Sequence, residues 1–139
     1  MRLILFVVLC LVSSSSILAQ SSLVFIEPWV RQAPPTAQNL AGYGELKNNS
    51  DREVSIASIS SPSFKRIEIH ITTFSNGMMK MTKLNQVTLK SGDSLLFEPG
   101  GKHLMLIKPQ ESIVDGVLIP ISIQLKSGEI FDFQLNVRR

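Results

Sequence analysis

Cysteine is nearly absent from this chain of 139 residues: Cys10 is the only one. It lies in an N-terminal segment built like a secretory leader. Arg2 gives a basic start, Leu3 to Val12 is apolar, Ser13 to Ser16 follow, and Ile17-Leu18-Ala19 precede Gln20. Basic, apolar and then small residues is the order of a signal peptide. The apolar run falls short of the ~20 residues that span a bilayer. Residues 1–19 are therefore read as a signal peptide cleaved near Ala19, and 20–139 as one exported domain. Val8-Leu9 before Cys10 lack the small residues of a lipoprotein site. Without Cys10 the mature domain has no disulfide, no thiolate metal site and no cysteine nucleophile. A mature chain of roughly 120 residues is large enough for a single apolar core.

Other absences exclude further classes. Aromatics make up only 6% of the chain, and the net charge is +3, from 14 Lys and Arg against 11 Asp and Glu. The cations are scattered, so neither a basic stripe nor a stacking platform for nucleic acid is present. Arg138 and Arg139 read as a solvated tail. No long stretch has a helical period, and there is no repeat. Two histidines without nearby acidic ligands make a poor zinc hydrolase site, and no Ser-His-Asp context is visible.

What remains is a β pattern. Short runs rich in Val, Ile, Leu, Phe and Thr alternate with turn residues. Strands are expected at Leu23–Trp29, Ala41–Lys47, Glu53–Ser60, Lys65–Thr73, Gly77–Leu84, Ser94–Phe97, His103–Ile107, Gly116–Leu125 and Ile130–Val137. Their spacing suggests a Greek-key β-sandwich or barrel. Ile67, Ile69 and Ile71 should face the core, leaving Glu68, His70 and Thr72 opposite. Asn76-Gly77 favours a two-residue hairpin turn. That turn would pair Ser75 with Met78, Phe74 with Met79 and Thr72 with Met81. His70, Thr72, Met79 and Met81 then share a face, whereas a slip by one residue would separate them. In the strand around His103, Leu104 and Leu106 belong to the core, and His103 and Met105 lie on the other side. Glu68 reads as a solvated strand residue, and Trp29 as a core aromatic rather than a shield for a metal.

The only two histidines, His70 and His103, thus each share a strand region with methionines. One such residue is ordinarily core filler or a surface group. Their joint placement is another matter. Thioethers with imidazoles, without thiolate or carboxylate, suit Cu(I) better than Zn(II), Mg(II) or Ca(II).

The spacing His70, ten residues, Met81, twenty-one residues, His103, one residue, Met105 resembles the H-x10-M-x21-H-x-M signature of the periplasmic copper chaperones called PCu(A)C. Pro28-Trp29-Val30-Arg31 with Pro34-Pro35, Ala41-Gly42-Tyr43, Ser60-Ser61-Pro62 and Glu98-Pro99-Gly100-Gly101-Lys102-His103-Leu104-Met105-Leu106 extend the likeness from Ser22 to Val137. The resemblance implies a cupredoxin-like β-sandwich that is not an enzyme and holds one Cu(I) per chain on His70, Met81, His103 and Met105. It implies delivery of copper in the periplasm to a respiratory oxidase, at the CuA centre of cytochrome c oxidase. A monomer without a membrane span in its mature form is expected, with the copper ion and a copper-accepting protein as partners. Gly44 stands where the family has a larger residue, which bears on packing more than on metal. No His- and Met-rich C-terminal extension follows, which favours one site over two. Met79 lies outside the signature as a nearby thioether.

Three other classes compete. A periplasmic buffering or resistance protein would use the same ligands. An electron-transfer cupredoxin needs a cysteine thiolate beside two histidines. A metal-free adhesion sandwich would leave both histidines without a role.

Overall fold

The computed structural model describes residues 22–139; the expected leader lies outside them. The described residues form strands and no helix. The strands are β1 Leu23–Arg31, β2 Asn39–Asn48, β3 Val54–Ser60, β4 Phe64–Ser75, β5 Met78–Lys83, β6 Val87–Leu89, β7 Ser94–Phe97, β8 Lys102–Pro109, β9 Leu118–Leu125 and β10 Ile130–Arg138. Period-2 alternation explains them. In β9, for example, Ile119, Ile121, Ile123 and Leu125 are all buried, with Pro120, Ser122 and Gln124 on the other face.

Hydrogen bonding runs β4-β8-β2-β1-β10-β9-β3, and β3 returns to β4 through Ile59 and Ile67. The sheet thereby closes into a seven-strand barrel, the all-β architecture expected. Leu46, Leu104, Leu106, Ile119, Ile123 and Leu135 are completely buried at its centre. β6 was not anticipated. It is only Val87-Thr88-Leu89, held by pairing with β3 from Val54 to Ile56, and three residues are too few to show a period.

Two backbone features set local geometry. Asn76 and Gly77 both have positive φ, 51° and 75°, as a tight hairpin turn requires. They fix the β4–β5 pairing at Ser75↔Met78, Phe74↔Met79 and Thr72↔Met81. This is the expected register. β5 extends from β4 with all six residues exposed.

The second feature is a bulge. The β1–β2 register breaks between Ile26 and Trp29, and Gly44 opposite it has φ 136°. A Cβ there would lie 2.9 Å from Phe25 Cε2 and 3.0 Å from Ile26 O. Only glycine fits this conformation and this space. Gly44→Ala is expected to lower stability by about 2–4 kcal/mol, combining backbone strain with overpacking. Urea denaturation measures it.

Candidate metal centre

The site is built on three adjacent strands, in the order β5-β4-β8. On β4, Ile67 and Ile69 fill the core, so Glu68, His70 and Thr72 take the outer face. On β8, Leu104 and Leu106 are fully buried, which turns His103 and Met105 to that same outer face. The register then decides proximity. His70 lies directly opposite His103, and Glu68 opposite Met105. Thr72 lies opposite Met81.

Opposed residues have Cβ atoms ~5 Å apart and diagonal ones ~7–8 Å, within reach of long side chains. Met81 is therefore diagonal to His70 from one side, and Met105 from the other. The two imidazole ring centres are 6.0 Å apart and tilted by 52°. All four residues singled out from the sequence occupy one patch of one face.

A cavity of about 340 Å³ opens on this patch, lined by Met81, His103 and Met105 together with Thr72, Tyr43 and Gly100. His70 does not line it; its side chain is only 16% exposed. His103 is 6% exposed and Met81 59%. The face outside the core thus carries a deeply buried histidine, against the simple expectation from alternation. The 98–101 turn and Tyr43 stand beside the cavity that His103 lines.

The hydrogen bonds reveal which ring nitrogens are free. His103 Nδ1 lies 3.2 Å from Gly101 O. A carbonyl only accepts, so Nδ1–H donates and Nε2 keeps its lone pair. Gly101 is held by a turn in which its N–H donates to Glu98 O at 3.1 Å and Gly100 has φ 80°. Pro99 and Gly100 are the residues a type II turn calls for at those positions. Gly101 O also accepts from Thr72 N–H at 3.0 Å, which ties the turn to β4.

His70 Nε2 lies 2.8 Å from Glu68 Oε2. Its other nitrogen, Nδ1, is sealed from solvent and has no hydrogen-bond partner. Glu68 also meets Lys83 Nζ at 3.1 Å and Arg66 Nε at 3.2 Å. The hydrogen bond from His70, then that from Lys83, holds its carboxyl below the usual carboxylate range. Glu68 is therefore an ionised hub, not a free solvated residue. The signal was present in the sequence: the Asn-Gly register places Lys83 opposite His70.

Among the described residues, no three or more of His, Cys, Asp and Glu gather as metal ligands. At this face the additional soft donors are thioethers. Trp29 is not a core residue. It is half-buried and packs on Tyr43 at 4.8 Å, with the Arg138 guanidinium over its ring at 5.7 Å. Arg138, expected in a free tail, belongs to β10.

The family model described as LpqE-like matches residues 23–137. The chain belongs to the LpqE-like family. RP573 of Rickettsia prowazekii (strain Madrid E) is 32% identical over 102 residues, covering 70% of this chain. A Leifsonia xyli subsp. xyli protein named as a lipoprotein is 24% identical over 101 residues, covering 72% of this chain. The matches span 56% and 60% of those two relatives' own lengths.

Solved structures give the fold. The copper-bound PCuAC domain from PmoF2 superposes with a TM-score of 0.70 at 16% identity, covering 85% of this chain and 93% of that one. The solution structure of CuI-DR1885 from Deinococcus radiodurans gives 0.65 at 23% identity, covering 80% and 74%. This LpqE-like chain therefore has the PCuAC fold.

Proposed function

We propose that the protein is an exported copper chaperone that binds one Cu(I) per chain through His70, Met81, His103 and Met105. The observation that carries this reading is the convergence of two imidazoles and two thioethers on one patch, with a buried imidazole nitrogen left without a partner. A hydrogen-bonding group buried without a partner is costly, and a metal lone-pair contact removes that cost. Soft thioethers with borderline imidazoles select Cu(I) over harder divalent ions. The PCuAC domains that share the fold are described as copper-bound or Cu(I)-bound, which supports the same cargo. The lipoprotein name of a relative supports export, and the periplasm is the proposed compartment.

The donor set suits carriage without turnover. His70 and His103 are held by hydrogen bonds, whereas Met81 is exposed on an edge strand. A monomer can then release its ion by exchanging the outer thioether first, as an acceptor's ligand enters. The proposed acceptor is the CuA centre of a cytochrome c oxidase.

Titration of the mature domain with Cu(I) under reducing conditions, against a competing chelator, should saturate at one equivalent; no saturable binding would end the proposal. Passive copper buffering uses the same ligands, and physiology separates the two. Deleting the gene should impair CuA assembly. Normal oxidase with raised copper sensitivity would favour buffering.

A further inference from the structure

We infer that Glu68 is a positioning residue that fixes the tautomer of His70, so that His70 offers Nδ1 to the metal while His103 offers Nε2. The inference deepens the metal reading above and rests on it for the identity of the cargo.

A neutral imidazole has one N–H and one lone pair, and the partner of one nitrogen decides the role of the other. Glu68 Oε2, at 2.8 Å from His70 Nε2, is an acceptor, so Nε2 carries the proton. The lone pair then resides on Nδ1, the one described buried side-chain nitrogen or oxygen without a hydrogen bond. At His103 the roles are reversed, because Gly101 O takes the Nδ1 proton.

Glu68 is itself fixed. Oε1 receives Lys83 from β5, directly across from His70, and Arg66 from its own strand. These two cations leave Oε2 for the imidazole. A carboxylate behind a ligating histidine orients the ring and raises its basicity, and loss of such a partner commonly weakens metal binding 10–100-fold. The Lys83–Glu68–His70 chain therefore couples the β5 edge strand to the ring orientation of a ligand on β4.

Long-range ¹H–¹⁵N correlation spectra of the metal-free mature domain report each tautomer directly, because a protonated and a pyridine-like ring nitrogen resonate apart and a doubly protonated ring shows neither pattern. His70 should show a protonated Nε2 and a pyridine-like Nδ1, and His103 the opposite. Adding one equivalent of Cu(I) should shift His70 Nδ1 and His103 Nε2. Glu68→Ala should mix the His70 tautomers and weaken Cu(I) binding roughly 10–100-fold. Glu68→Gln offers a single acceptor oxygen where Glu68 uses two; with that oxygen on Lys83 and Arg66 its NH₂ meets His70 Nε2, so the His70 tautomer should again be lost. Backbone amide spectra show whether each variant is folded. A His70 carrying its proton on Nδ1, or binding Cu(I) through Nε2, overturns the inference, as does a folded Glu68→Ala protein with unchanged tautomer and affinity. A wild-type domain that shows the stated tautomers but takes no Cu(I) would contradict the copper reading and leave the role of Glu68 in setting the ring standing.

Discussion

The double variant Met81→Leu/Met105→Leu should fold normally and lose Cu(I) binding by at least about 100-fold, more than the loss of an outer-shell partner costs. Leucine is close to methionine in volume, and such swaps usually cost under ~1.5 kcal/mol even in cores. Here Met81 is 59% exposed and Met105 half-buried, so the structural cost is smaller still. What the swap removes is the two thioethers beside the imidazoles; Met79, on the same face, is paired with Phe74 one step further out along the hairpin. Met78→Leu is the matching control. It lies on the same strand, is 71% exposed, and has the opposite parity from Met79 and Met81, so it should leave affinity unchanged. Chelator competition measures all three proteins. Equal losses in Met78→Leu and the double variant would show that the ligand set is wrong.

The largest stability effect is expected at Asn48, far from the metal face. It is completely buried. Its side-chain amide donates to Arg52 O at 2.7 Å, Lys90 O at 3.0 Å and Leu89 O at 3.1 Å. Its oxygen accepts from Ser50 N–H at 3.0 Å and Ser50 Oγ–H at 2.6 Å. One side chain thus ties the end of β2 to the loop before β3 and to the turn after β6. Asn48→Asp keeps the shape but turns the donating end into an acceptor facing three carbonyl oxygens. It also buries a charge. Removing one partner of a buried polar network costs the desolvation of the groups left behind, and an unpaired buried charge costs about 3–5 kcal/mol. For a domain of ordinary stability this is a large fraction of the total. Thermal unfolding should show Asn48→Asp far less stable than wild type at pH 7, and partly rescued at low pH as the carboxyl protonates. An unchanged midpoint would mean that the network contributes nothing.

These two predictions separate what the sequence makes legible from what it hides. The metal face was legible because local rules compound. Asn76-Gly77 admits one turn and therefore one hairpin register, and alternation of Ile67 and Ile69, or Leu104 and Leu106, assigns the faces. With parity and register known, His70, Thr72 and Met81 fall together without any long-range information. The pairing of His70 with His103 is different, since β4 and β8 are distant in sequence; the family resemblance supplied that link.

Asn48 was hidden because Asn48-Asn49-Ser50-Asp51 has the composition of an exposed turn. Its burial depends on Leu89 and Lys90, 41 and 42 residues away. β6 was too short to show a period. Trp29 was misplaced by residue type: a lone tryptophan suggests core, yet the bulge before it sends its ring outward onto Tyr43. Glu68 was underrated because a charged residue alternating with isoleucines reads as the wet side of a strand, and its partners Lys83 and His70 become neighbours only once the hairpin closes. Gly44 was noted as a departure in size, whereas its reason is conformational, a positive φ packed against a bulge.

The central claim is a mixed shell of two thioether sulfurs and two imidazole nitrogens around one ion. X-ray absorption at the copper edge, on the mature domain loaded with one equivalent of Cu(I), reads that shell directly. The account predicts a Cu(I) edge with both sulfur and imidazole nitrogen scatterers, the sulfur contribution disappearing in Met81→Leu/Met105→Leu. A shell of nitrogen and oxygen alone in the wild-type protein would contradict it.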